Sequence, residues 1–137
     1  MSFEHEEVVR FGHVDAAGIV FYPRYFEMLN ATIEAWFAEA LSYPFQQMVA
    51  EGCGIPLVAS DVRFSSASRL GEHLRFLLGV RDGGGASIEL EITCLCAGET
   101  RLTATLKLVL VQLQPFLSKR IPDELRSSMI RYLERPC

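Results

Sequence analysis

The stretch FGHVDAAGIVFYPRYFEMLNATIEAWFAEAL, running from Phe11 to Leu41, decides the fold. It opens polar and reaches a lone acid, Asp15, followed by the small-residue turn Ala16-Ala17-Gly18. A short apolar run, Ile19 to Tyr22, then leads to Pro23, which suits the first turn of a helix because its missing N–H costs nothing there. From Pro23 to about Leu41, Phe26, Leu29, Ile33, Trp36, Phe37 and Ala40 recur at three- and four-residue spacing, with Glu27, Asn30, Glu34 and Glu39 largely on the other side. This is the longest and most apolar helix of the chain, and Ser42-Tyr43-Pro44 ends it. The order is strand, carboxylate, turn, helix N-terminus. An acid beside free backbone N–H groups is a place to do chemistry on a carbonyl.

Upstream, residues 4–13 are expected to form a strand, with Val9, Phe11 and His13 on one face. Downstream, residues 45–51 give a short helix closed by Gly52-Cys53-Gly54. Four strands are predicted after that. In 55–68, Val58, Ser60, Val62 and Phe64 share a face. A turn at 69–72 leads to 73–82, where Leu74, Phe76, Leu78 and Val80 align. Asp82-Gly83-Gly84-Gly85 is a strong hairpin signal, leading into 86–97 with Ile88, Leu90, Ile92, Cys94 and Cys96 on one side. After Ala97-Gly98-Glu99, residues 100–113 alternate again, and Pro115 stops that strand. A polar helix is expected over 122–134. One-sided alternation means one buried sheet face, and the greasy helix is the object it covers. The prediction is a single α+β domain over residues 1–137, a five-stranded antiparallel sheet in meander order wrapped around a long central helix.

Bulk properties narrow the function. A net charge of -4 argues against nucleic-acid binding by bulk charge. No apolar run is long enough to cross a bilayer, and the acidic, polar start MSFEHEEVVR does not read as a secretory signal. Cys94 and Cys96, two apart in a strand, point the same way and make a poor disulfide, so reduced thiols and a cytoplasmic location are expected. His5, His13 and His73 are scattered, and no Cys/His set has zinc spacing, so no metal site is expected.

The run Phe11 to Tyr25, F-G-H-V-D-A-A-G-I-V-F-Y-P-R-Y, closely resembles the signature of the hotdog-fold acyl-CoA thioesterases, in their 4-hydroxybenzoyl-CoA thioesterase branch. Ile55-Pro56, Asp61, Phe64, Gly71-Glu72 and Arg120-Ile121-Pro122 are similar to further family positions. The resemblance implies a helix enclosed by a five-stranded sheet, and homodimers or homotetramers with active sites at the subunit interface. It implies hydrolysis of an aroyl- or short-chain acyl-CoA, with no cofactor beyond the coenzyme A of the substrate. In it Asp15 acts as nucleophile or as base for water, the backbone N–H of Tyr22 holds the carbonyl oxygen, and Gly18 makes the turn between them. Tyr25, Phe21 and Ser60 are expected substrate-binding positions, with Tyr22 and Tyr25 matching family positions near the acyl site.

The residues themselves carry a plainer reading beside each of these. An isolated Asp before a helix is more often a cap or turn residue, and Gly18 is explained by a turn that needs positive φ. His13 is expected as a surface or core polar residue, and Glu27 and Glu34 are rival acids whose amphipathic placement reads as a solvated face. No Gly-x-Ser-x-Gly elbow is present, which leaves a serine triad without support. For the coenzyme phosphates the candidates are Arg81, Lys119 and Arg120, with Arg63 and Arg69 in reserve. An acyl-carrier-protein thioester and a non-catalytic acyl-CoA-binding module remain as alternatives. The first and last strands are expected as the exposed edges that a dimer covers.

Overall fold

The computed structural model describes residues 1–134. Its elements are β1 (Phe3–Val8), α1 (Tyr22–Ala35), α2 (Phe45–Ala50), β2 (Cys53–Gly54), β3 (Leu57–Phe64), β4 (His73–Gly83), β5 (Ser87–Cys96), β6 (Glu99–Val109), β7 (Val111–Leu113), β8 (Phe116–Ser118) and α3 (Asp123–Ile130). The antiparallel five-stranded sheet runs β1-β4-β5-β6-β3, and α1 lies across its buried face as in the hotdog fold. Strict alternation makes this possible. Along β5, Ile88, Leu90, Ile92, Cys94 and Cys96 are buried while their neighbours are not. Leu74, Phe76, Leu78 and Val80 of β4 and Leu102, Ala104, Leu106 and Leu108 of β6 join them. Tyr25, Met28, Leu29, Thr32 and Ile33 of α1 fill the concavity, each large apolar side chain contributing about 1.5–3 kcal/mol of burial.

Several sequence expectations are corrected. The first strand stops at Val8, and Phe11–His13 form one 3₁₀ turn because the chain must bend toward the helix. Phe26 sits at the rim of α1 rather than in its core, 39% exposed. Past Ala35 the helix widens into a π turn, Trp36–Ala40, in which the Leu41 N–H donates to the Trp36 carbonyl at 3.0 Å. The predicted strand over 100–113 breaks at Leu110, and β7 leaves the main sheet to pair with β2 and β8. β8 was not anticipated: Pro115 ends the run, but the chain reverses at Gln114-Pro115 and pairs back. The C-terminal helix ends at Ile130, and Leu133 then bridges Val80 alongside β4 beyond the reach of β1.

The sheet order carries the largest correction. In a meander β3 would neighbour β4; instead it pairs with β6, and the edges are β1 and β3. Of the face predicted on β3 only Val62 is half-buried; Val58, Ser60 and Phe64 are exposed. Residues 65–72 are therefore not a hairpin turn. They are a crossover that traverses one end of the sheet, past the start of α1.

Candidate active site

The chain enters α1 through a tight hairpin. The Phe21 N–H donates to the His13 carbonyl at 2.9 Å, Val14 bridges Val20, and the Asp15 N–H donates to the Ile19 carbonyl at 3.1 Å. Gly18 closes the loop with its N–H on the Asp15 carbonyl at 2.9 Å and a φ of 79°, a left-handed value that strains any residue with a Cβ. Asp15 is exposed, and its Oδ1 accepts the Ala17 N–H at 2.8 Å. That bond is the Asx turn expected of a bland loop aspartate. Oδ2, however, has no hydrogen bond among the described residues, so one carboxylate oxygen stays open to solvent.

Tyr22 is the first residue of α1. The cap residue Phe21 offers no side-chain acceptor, and the Tyr22 N–H donates to no group among the described residues. Helix geometry leaves such amides unpaired, and the aligned peptide dipoles add partial positive charge there. Beside it is a surface groove of about 330 Å³, walled by Ile19, Val20, Tyr22, Tyr25, Phe64 and residues 65–67. Tyr25 is 4% exposed, and burial raises its phenol pKa. Its ring meets Phe64 at a 5.7 Å centroid distance.

The structure brings Asp15, Gly18, Phe21, Tyr22 and Tyr25 into one hairpin and helix start. It does not bring the other predicted residues there. Ser60 is exposed on β3 and does not line the groove. Arg81 lies on β4, with Nε 3.6 Å from Glu91 and Nη1 donating to Thr105 at 3.2 Å. Lys119 Nζ is 3.6 Å from the buried Cys53 thiol, and Arg120 pairs with Asp123 at 3.2 Å. Of the rival acids, Glu27 is paired with Arg24 at 2.5 Å and Glu34 is exposed. His13 accepts the Arg10 N–H at its own Nδ1, 2.8 Å away. Cys53, Cys94 and Cys96 are buried free thiols, burial pushing Cys94 up to about 12; Cys137 lies outside the described residues. No group of three His, Cys, Asp or Glu among the described residues is arranged to hold a metal. No helix among them is long and apolar enough to cross a membrane.

Sequence reasoning missed Arg101. It occurs in a run of alternating residues and reads as an ordinary solvated strand position, yet it is only 8% exposed. Its Nη1 and Nη2 donate to Glu72 Oε1 and Oε2 at 2.8 and 3.0 Å, and Nη1 also reaches the Ala67 carbonyl at 2.9 Å. Nε lies 2.7 Å from a Glu99 oxygen, close enough for an ion pair but not aligned as a hydrogen bond. Glu72 and Arg101 are far apart in sequence, and only the crossover, which brings Glu72 to the guanidinium, explains the pair. Hydrogen bonding from Arg101, with a smaller contribution from the Arg69 N–H, holds the Glu72 carboxyl at about 2. A carboxylate depressed in the folded state stabilises above its ordinary range, and that contribution disappears as pH falls through the folded value. The stability lost in Glu72→Gln, measured by urea unfolding, is thus expected to be constant above about pH 5 and to shrink between about pH 4.5 and 2. A loss that grows on acidification contradicts the pairing.

A Synechocystis sp. protein assigned by inference as an esterase, sll0410, is 26% identical over 124 residues, 87% of this chain and 73% of that one. The structure of the gentisyl-coenzyme A thioesterase BH1999 matches with a TM-score of 0.84 at 25% identity, covering 90% of this chain and 99% of that one. Slr0204, a 1,4-dihydroxy-2-naphthoyl-CoA thioesterase from Synechocystis, matches with a TM-score of 0.86 at 18% identity, over 94% and 96% of the two chains. With the family model of the thioesterase-like superfamily matching residues 9–129, the chain belongs to that superfamily and is a thioester hydrolase.

Proposed function

We propose that the protein hydrolyses an aroyl- or short-chain acyl-CoA to the free acid and coenzyme A, with Asp15 as the attacking or water-activating group. The observation that carries this reading is the hairpin 13–21, which pairs the Asp15 backbone with Ile19 and puts a free carboxylate oxygen on the loop that leads directly into an unpaired helix N-terminus. As nucleophile, Oδ2 bonds to the carbonyl carbon while the oxygen becomes an oxyanion facing the Tyr22 N–H. The C–S bond then breaks, its electron pair leaving on sulfur as coenzyme A thiolate, and water cleaves the Asp15–acyl anhydride. As general base, the carboxylate instead takes a proton from the water that attacks. A preorganised N–H aimed at the developing charge favours either route. The aromatic groove wall of Tyr22, Tyr25 and Phe64 suits a flat acyl group, and the similarity to a gentisyl-CoA thioesterase points the same way.

The carbonyl needs no metal or cofactor in this scheme. Of the proposed phosphate contacts, Arg81 and Arg120 are held by acidic partners and Lys119 by a thiol. All three side chains are exposed and keep further N–H donors for coenzyme A phosphates. The edge strand β3 exposes Leu57, Val58 and Phe64 beside an unpaired ladder. Pairing of two β3 edges gives a ten-stranded dimer, or a tetramer of two such pairs, and carries partner residues to the groove. Buried free thiols suit a cytoplasmic setting.

Thiol release from a panel of aroyl- and short-chain acyl-CoAs tests the activity. Turnover is expected on at least one aroyl thioester. Thermal stabilisation by acyl-CoA without thiol release across the panel would identify a binding module instead. Light scattering at micromolar protein should give the mass of two or four chains; the mass of one chain removes the interface site.

A further inference from the structure

We propose that Arg101 is a positioning residue for hydrolysis, holding the 65–69 crossover against the entry of α1 and so fixing the Tyr22 N–H relative to Asp15. This rests on the reading of Asp15 and Tyr22 above. A buried guanidinium is a costly choice where an apolar residue would pack, and the ion pair that neutralises it does not by itself explain its presence. What distinguishes Arg101 is the set of groups it holds. Its side chain donates to the Ala67 carbonyl at 2.9 Å and to Ser68 Oγ at 3.3 Å, while its own carbonyl accepts the Ser65 and Ser66 N–H groups at 2.9 and 3.4 Å. The guanidinium thus holds positions 67 and 68 of the crossover, next to the two that the backbone carbonyl of the same residue fixes, and 65–67 wall the groove.

The grip passes directly to the site. The Ser68 carbonyl accepts the Val20 N–H at 2.9 Å, and Arg69 bridges Ile19. Val20 is the hairpin partner of Val14 and lies two residues before Tyr22. Glu72 locks the other end, taking both guanidinium arms and the Arg69 N–H at 2.6 Å. The planar fork can serve Glu72, Ala67 and Ser68 together; a lysine ammonium keeps the charge but cannot span them all. Displacement of reacting groups by about 1 Å costs on the order of a hundredfold in rate.

The test is Arg101→Lys in the full-length protein, assayed for kcat and KM on the best acyl-CoA, with hydrogen exchange followed over residues 13–22 and over β5. The expected result is a fall in kcat of about ten- to a hundredfold with KM changed less than about threefold. Exchange should accelerate over 13–22 and stay slow in β5. A folded variant with kcat within about twofold of wild type overturns the proposal. So does a loss of rate without faster exchange over 13–22, or one accompanied by equal loosening of β5. If Arg101→Lys does not fold, Glu72→Gln is put through the same measurements, and failure of both to fold assigns Arg101 to global stability and overturns the proposal. Asp15→Asn run in parallel separates the two readings. Full activity there removes the assignment of Asp15, while the exchange arm still decides whether Arg101 holds the helix entry.

Discussion

Asp15→Asn is expected to lower kcat/KM toward an acyl-CoA by about 10²–10⁴-fold, the range for a positioned acid–base group, and by more if the carboxylate is the nucleophile. The substitution is chosen from the geometry. Asparagine keeps an Oδ1 that can accept the Ala17 N–H, so the Asx turn at 2.8 Å and the hairpin it braces survive. Thermal unfolding should therefore match wild type while the chemistry is lost. Asp15→Ala is the harsher control, because it deletes the turn acceptor along with the carboxylate. Wild-type activity in either folded variant would reduce Asp15 to a loop-bracing residue. A single turnover in ¹⁸O-labelled water identifies the nucleophilic route when label enters the peptide containing Asp15, as it does when water attacks the Asp15 carbonyl of the anhydride. Attack on the acyl carbonyl leaves Asp15 unlabelled, as a general base does, so trapping the anhydride with hydroxylamine, which converts Asp15 to a hydroxamate, is the companion measurement.

The local geometry of this candidate site was legible in the chain because its residues are close in sequence. Asp15, Gly18, Tyr22 and Tyr25 fall within eleven residues, where a turn that needs positive φ and a helix that opens on Pro23 constrain the backbone before any tertiary contact forms. The buried faces of β4, β5 and β6 were legible for the same reason, since period-two alternation is a local pattern. The partners of each strand were not. Nothing in residues 55–72 distinguishes a hairpin turn at Arg69-Leu70-Gly71-Glu72 from a crossover; the turn forms in both, with the Glu72 N–H on the Arg69 carbonyl at 3.1 Å. A meander places β3 beside β4, where neither an exposed β3 edge nor a buried Arg101 is expected. The candidate phosphate ligands failed to converge for a related reason. Arg81, Lys119 and Arg120 were gathered by charge and motif position, yet within one chain each finds its own nearby partner.

The far end of α1 supports the second large effect. Trp36 is fully buried where the helix widens into its π turn, edge-on to Phe37 at 5.4 Å and to Tyr132 at 5.8 Å. Trp36→Ala is expected to cost about 3–5 kcal/mol, since it removes the largest core side chain and leaves a cavity that packed neighbours cannot fill. For a domain of this size that is a fall in Tm of roughly 10–20 °C at fixed protein concentration. Trp36→Phe should be far milder. The indole N–H has no acceptor among the described residues, and a buried unpaired donor costs about 1–3 kcal/mol. Phenylalanine sheds that penalty while keeping one aromatic ring against Phe37 and Tyr132, so its loss should be less than half that of alanine. Equal losses would mean that the N–H is in fact bonded in the folded protein. Activity per folded molecule should not change in Trp36→Phe. The substitution lies about 20 Å along the helix from Tyr22, at 1.5 Å per residue, away from the hairpin and first turn that carry the proposed site.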